Sequence, residues 1–110
     1  GGKKLNKKMK ALARRLALTS KANDGKIIVV ENFTFDAPKT KSYMAMAKAF
    51  KLEDKKVLLV LNDVDNNVLL SVRNVPNALM MQAIDLNSYA VLNNDAILMT
   101  EDSVAVINEL

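Results

Sequence analysis

Between Lys3 and Lys21 the sequence reads KKLNKKMKALARRLALTSK, with eight cations (Lys3, Lys4, Lys7, Lys8, Lys10, Arg14, Arg15 and Lys21) and no carboxylate before Asp24. The chemistry this suits is the binding of a polyanion. Ammonium and guanidinium groups held in a row neutralise phosphates and displace their counterions, which positions a nucleic acid without reading its bases. A plainer reading is a solvated helix face whose long stems cover apolar surface. Such a face normally mixes signs and gains from Glu–Lys pairs four residues apart, and here nothing compensates the charge. An anionic membrane surface is the third reading. It is opposed by a narrow aliphatic stripe that lacks Trp and Phe.

Catalytic chemistry has little to work with. There is no cysteine, so disulfides, thiolates and cysteine zinc sites are excluded. There is no histidine either, which removes the usual general base and every imidazole ligand. Carboxylates remain: Glu31, Asp63, Asp65, Asp85, Glu101 and Asp102 each follow an apolar run. Ligands of parallel sheets bind beyond the carboxyl ends of the strands, where such groups could hold Mg²⁺ for phosphoryl transfer. Asp and Asn are also the ordinary residues of turns and caps. No glycine-rich phosphate loop accompanies them, since the only glycine after Gly1-Gly2 is Gly25. The expectation is a protein that is not an enzyme and uses no cofactor, with a Mg²⁺-dependent phosphoryl-transfer or receiver-like domain as the rival.

The charge is unevenly placed. Residues 1–26 hold nine Lys/Arg against one Asp, a net +8, and the remaining 84 hold seven against eleven Asp/Glu, a net −4. The basic segment is a local device on a mildly acidic body. Gly1-Gly2, without an initiator Met, reads as a tag or splice remnant. Residues 3–110 read as one domain.

The elements that must position these groups are legible as an alternation. Leu5, Met9, Leu12 and Leu16 recur at helical spacing, predicting a helix over Lys3–Lys21, roughly 28 Å long. Its apolar stripe is expected to cover a sheet. Asn23-Asp24-Gly25 ends it. Strands are predicted near 27–31, 57–61, 79–84 and 96–99, the first as a run buried on both faces. Pro38 suits the first turn of a second helix, with Tyr43, Met46, Ala47 and Phe50 on its buried side. Residues 68–74 read as helix or strand, and a crossover between parallel strands favours helix. The stretch Asp85-Leu86-Asn87-Ser88 and Thr100 stand where caps of two short helices belong. Four strand–helix alternations predict an α/β fold, a three-layer α/β/α sandwich around a four-stranded parallel sheet. The six methionines read as core filler. Arg73, in LLSVRNVPN, is either a surface charge or a second phosphate contact reaching back to the basic helix.

Several segments together resemble the C-terminal half of bacterial large-subunit ribosomal protein four. They are KLNKKMKALARRLALTSKA, VVENFTFDAPKTKSY, NVLLSVRNVPN and DLNSYAVLNNDAILMT. The most specific pieces are Ala37–Lys41, Ser71–Asn74 and Leu86–Asn93. The resemblance implies the strand order 1-4-2-3 and a non-enzymatic, cytoplasmic constituent of the large ribosomal subunit. Large-subunit rRNA is the implied partner, with neighbouring ribosomal proteins and the leader RNA of its own operon as further ones. No membrane partner is implied. It carries Lys7, Lys8, Lys10, Arg14 and Arg15 over as RNA contacts, and Lys39, Lys41 and Arg73 through their motifs. The chain departs from the family pattern at Leu16-Ala17-Leu18-Thr19, where Ser-Ala-Leu-Ser is usual, and at Val72, where Ala is usual. The family's N-terminal portion, with its tunnel-reaching loop, has no counterpart here, so tunnel roles are not implied. An isolated piece of this kind is expected as a monomer or weak dimer.

Overall fold

Runs of β-branched and aliphatic residues with no polar interruption suit the central strands of a sheet covered on both faces, and here two layers of helices do the covering. The computed structural model describes residues 6–110. Along the chain lie α1 (Lys7–Asn23), β1 (Ile27–Val30), α2 (Thr40–Ala49), β2 (Val57–Leu61) and α3 (Asn66–Val72). Then come β3 (Ala78–Gln82), a 3₁₀ turn (Ala83–Asp85), α4 (Ser88–Leu92), β4 (Ala96–Thr100) and α5 (Glu101–Asn108). The strands form one parallel sheet in the order β1-β4-β2-β3.

Alternation along β2 and β4 divides the core. Leu59, Leu61 and Leu98 pack with Tyr43, Ala47, Val68 and Val72, so α2 and α3 form one outer layer. Leu58, Val60, Ile97 and Met99 pack with Ala17, Ala90 and Val91, while Val104 and Ile107 close over them. Helices α1, α4 and α5 are therefore the other layer. The predicted sandwich and strand order are both present.

The differences from expectation have local causes. β1 is not buried on both faces: it is an edge strand, and Val29 is exposed. β3 ends at Gln82, because Ala83–Asp85 tightens into the 3₁₀ turn that leads to α4. The ambiguous segment is helix α3, started by the Asp65 carboxylate accepting from the Val68 N–H at 3.1 Å. α2 begins at Thr40, two residues after Pro38, and Phe50 lies past its end, partly exposed. Asn87 caps α4 through the Ala90 N–H at 2.9 Å. Thr100 sits at the cap position of α5, but its hydroxyl bonds Asp102 and Ser103 rather than a backbone N–H.

The largest correction concerns α1. Met9, Leu12 and Leu16 do not cover the sheet; they face outward, each at least half exposed. Ala17 is the buried residue, flanked by half-buried Ala13, Arg14, Leu18 and Lys21. Small residues at 13 and 17 let α1 approach α4 closely, and Ala90 lies opposite in the same core. Leu5 lies outside the described residues.

Candidate nucleic-acid interface

The first helix is longer than the sheet it packs on. Seventeen residues at about 1.5 Å each exceed five-residue strands at about 3.3 Å each by some 9 Å. Half-burial accordingly begins only at Ala11, and every residue from Asn6 to Lys10 is exposed. Asn6 starts the helix by accepting from the Met9 N–H at 2.8 Å. This rigid projection presents Lys7, Lys8 and Lys10. One turn further on, Arg14 is half-buried and Arg15 exposed. The two arginines edge a groove of about 350 Å³ between α1 and α5, floored by Ile27 and Met99.

Lys7, Lys8, Lys10 and Arg15 are exposed on a helix that carries no acidic residue. Lys21 differs from them. It is half-buried, and its ammonium donates to the Asn94 carbonyl oxygen at 2.6 Å. Lys3 and Lys4 lie outside the described residues.

The other three cations lie in the opposite layer. Lys39 is the cap residue of α2 and makes no side-chain cap bond, Lys41 is in the first turn, and Arg73 ends α3; all three are exposed. Arg73 thus lies at the end of a helix across the sheet from α1. Two residues before it, the Ser71 hydroxyl accepts from the Lys39 N–H at 2.9 Å and donates to the Asn67 carbonyl at 2.6 Å. Thr40 and Asn74 line one hollow beside them. The segments Ala37–Lys41 and Ser71–Asn74, far apart in sequence, are thus one surface feature. The unit positive charges at the start of α2 meet the positive end of its dipole with no acidic residue in the first turn.

A model of the ribosomal protein L4/L1 family matches residues 2–110. The chain belongs to that family. The large ribosomal subunit protein uL4 of Porphyromonas gingivalis is 56% identical over 107 residues, which are 97% of this chain and 51% of that protein. The uL4 of Parabacteroides distasonis is 51% identical over 106 residues, 96% of this chain and 51% of the relative. That of Bacteroides fragilis is 48% identical over 107 residues, with coverage of 97% and 51%. The chain spans about half the length of the curated relatives it matches.

In this L4/L1-family domain two of the carboxylates beyond the strands, Asp65 and Asp102, hold hydrogen bonds within the fold. A hollow of about 370 Å³ there is lined by Asn32, Asp63, Asp65, Thr100 and Asp102 among others. Asp65 is spent on the α3 cap. Asp102 accepts from the Thr100 hydroxyl, and its own N–H donates to the Asn32 side chain at 3.2 Å. Among the described residues, no three acidic groups stand close enough to share a metal ion. The phosphoryl-transfer rival thus has no assembled site. No helix of the described residues is long and apolar enough to cross a membrane.

Sequence reasoning found the cations but not their division between two layers. It also missed the structural duty of Lys21. The available signal was positional: Lys21 follows Ala13 and Ala17 at four-residue steps, which places it on the face that packs inward.

Proposed function

We propose that this domain is a non-enzymatic scaffold of the large ribosomal subunit that holds rRNA through the phosphate backbone. Lys7, Lys8, Lys10, Arg14 and Arg15 are its principal contacts, and Lys39, Lys41 and Arg73 form a second, smaller set. The observation that carries this reading is the projecting start of α1, whose lysines are exposed and lie on a helix without a single acid. Family membership supports it, since the relatives are named as large-subunit proteins. Neighbouring ribosomal proteins are the natural further partners of such a scaffold.

The mechanism is charge neutralisation on a rigid support. An exposed helical lysine is already ordered along its backbone, so binding RNA costs mainly side-chain freedom. Each phosphate neutralised releases condensed counterions, and the affinity falls as salt rises. Lys21, tied to Asn94, is part of the support rather than of the contact.

The test is titration of a structured large-subunit rRNA fragment across a salt series. The combined variant Lys7→Gln, Lys8→Gln, Lys10→Gln and Arg15→Gln should flatten the slope of log K against log salt by about three, at 0.7–0.9 per phosphate lost. Its circular dichroism should not change. Salt-independent binding, or a variant that binds like the parent, overturns the reading.

A further inference from the structure

The segment Leu86–Asn93 is among the most distinctive of the sequence, and phosphate binding by α1 gives it no task. It contains α4, on which Tyr89 is 75% exposed while Leu86, Ala90 and Val91 around it are buried. A single exposed aromatic ring is ordinary. Its company is less so. Tyr89 shares a hollow of about 330 Å³ with Lys10, Ala13 and Arg14 of α1 and with Leu86, Asn87 and Ser88. None of the described residues lining that hollow is acidic.

The ring stands on a fixed support. At the start of α4 the Asn87 side chain accepts from the Ala90 N–H at 2.9 Å, and past its end the Asn94 amide donates to the Ala90 carbonyl at 2.7 Å. The Tyr89 carbonyl itself takes the Asn93 N–H at 2.9 Å. Across the hollow, Lys10 is exposed on the projecting turn of α1, and Arg14 is half-buried one turn further on. An aromatic face beside cations is what holds unpaired nucleotides: every base has a π-face that stacks, and the cations take the phosphates. A duplex presents no free base face, so this hollow distinguishes unpaired from paired RNA, which phosphate contacts alone do not. An apolar peptide would cover the ring but leave Lys10 and Arg14 without counter-charge.

We propose that the hollow between α1 and α4 is a subsite for one unpaired nucleotide of the RNA, whose base stacks on Tyr89 while its flanking phosphates lie against Lys10 and Arg14. The subsite rests on the phosphate-binding reading of α1 and adds selectivity to it. The lysines hold any RNA backbone, and Tyr89 favours the place where a base has left its helix. Base identity is not read, since stacking accepts every base.

Single-stranded hexaadenylate and a fully paired RNA duplex are the probes, each titrated into the full 110-residue chain at low salt and followed by NMR. Hexaadenylate should move the Tyr89 ring signals upfield, and the duplex should leave them in place. Tyr89→Ala should weaken hexaadenylate binding about fivefold or more, the lower end of what one base stack contributes, without changing the salt slope or the circular dichroism. Tyr89→Phe keeps the ring and should bind like the parent. So should Leu92→Ser, which alters an exposed apolar residue of α4 outside the hollow. Salt-dependent binding with unmoved Tyr89 signals, or with full affinity in Tyr89→Ala, overturns the subsite and leaves the phosphate reading standing. An equal loss in Leu92→Ser, an equal shift with the duplex, or a Tyr89 shift that follows protein concentration without RNA also overturns it, the last by making the occupant a second copy. Absence of binding at low salt, or binding indifferent to salt, defeats the phosphate reading and the subsite together.

Discussion

The Lys21 ammonium donates to the Asn94 carbonyl oxygen at 2.6 Å, joining the last turn of α1 to the turn between α4 and β4. Asn94 is itself fixed, since its buried side-chain amide donates to the Ala90 carbonyl at 2.7 Å. The basic helix is thereby anchored at one end and free at the other. Lys21→Met keeps the stem and removes the donor. It should cost about 1–2 kcal/mol in urea denaturation, the lower part of the range for a hydrogen bond to a charged group, because the ammonium is half-exposed. RNA affinity and its salt slope should stay within a factor of about two of the parent's, well short of the tenfold that 1.4 kcal/mol represents.

The two cationic sets occupy opposite layers of the sandwich, so their effects should be independent. Neutralising Lys39, Lys41 and Arg73 to Gln should weaken RNA binding, and adding the α1 substitutions should multiply the two losses. Sites without shared partners add in free energy to within about 0.5 kcal/mol. A combined variant no weaker than the α1 variant alone would remove the second set from the interface.

What could be read from the letters alone was whatever a single element determines. Val57–Leu61 and Ala96–Met99 are uninterrupted apolar runs of the kind that suits a strand buried on both faces, and both are buried throughout. Gly25 marked the end of α1 for an equally local reason. The orientation of α1 was not local. Its sequence offers two candidate inner faces, a conspicuous leucine row and an inconspicuous one through Ala13, Ala17 and Lys21. Hydrophobicity favours the first, but close packing against α4 selects the small residues of the second. The meeting of Lys39 with Ser71 was hidden for a similar reason, since it depends on how α2 and α3 lie side by side.

α1 and α2 end in the same hydrogen-bonded motif with different residues at the critical place. After α1, Lys26 N–H bonds Lys21 C=O at 2.9 Å and Gly25 N–H bonds Ala22 C=O at 3.0 Å, with Gly25 at φ 70°. After α2, Leu52 N–H bonds Ala47 C=O at 2.8 Å and Lys51 N–H bonds Lys48 C=O at 3.0 Å, with Lys51 at φ 60°. A side chain in the left-handed region costs about 1 kcal/mol that glycine avoids. Lys51→Gly should therefore raise stability by about 0.5–1 kcal/mol. Gly25→Ala should lower it by about 1 kcal/mol, although a Cβ there meets open space. Both are read from urea midpoints.

Burial of Tyr43 pushes its phenol above the ordinary value of 10.0. The unfolded chain then loses this proton at a lower pH than the folded one, so ionisation favours unfolding. The contribution is complete below pH 10 and disappears as pH climbs through the raised folded value. Stability measured from pH 8 upward should hold and then fall beyond pH 10. Tyr43→Phe should make that alkaline decline shallower.

Asp65 separates a capping role from a metal-binding one. Its carboxylate accepts from the Val68 N–H at 3.1 Å, and its backbone carbonyl takes the Leu69 N–H at 2.9 Å, as expected of a residue that starts a helix. Asn accepts that side-chain bond as well as Asp does, whereas Ala cannot. Asp65→Ala should cost about 1 kcal/mol and Asp65→Asn only a few tenths, with or without Mg²⁺. A metal site would rank them differently, because the amide of Asn carries no charge to replace the carboxylate as a hard-cation ligand. Equal losses in Asn and Ala variants, appearing only when Mg²⁺ is present, would revive the phosphoryl-transfer reading. Equal stability of the parent with and without Mg²⁺, beside a silent Asn variant, leaves Asp65 as the residue that starts α3.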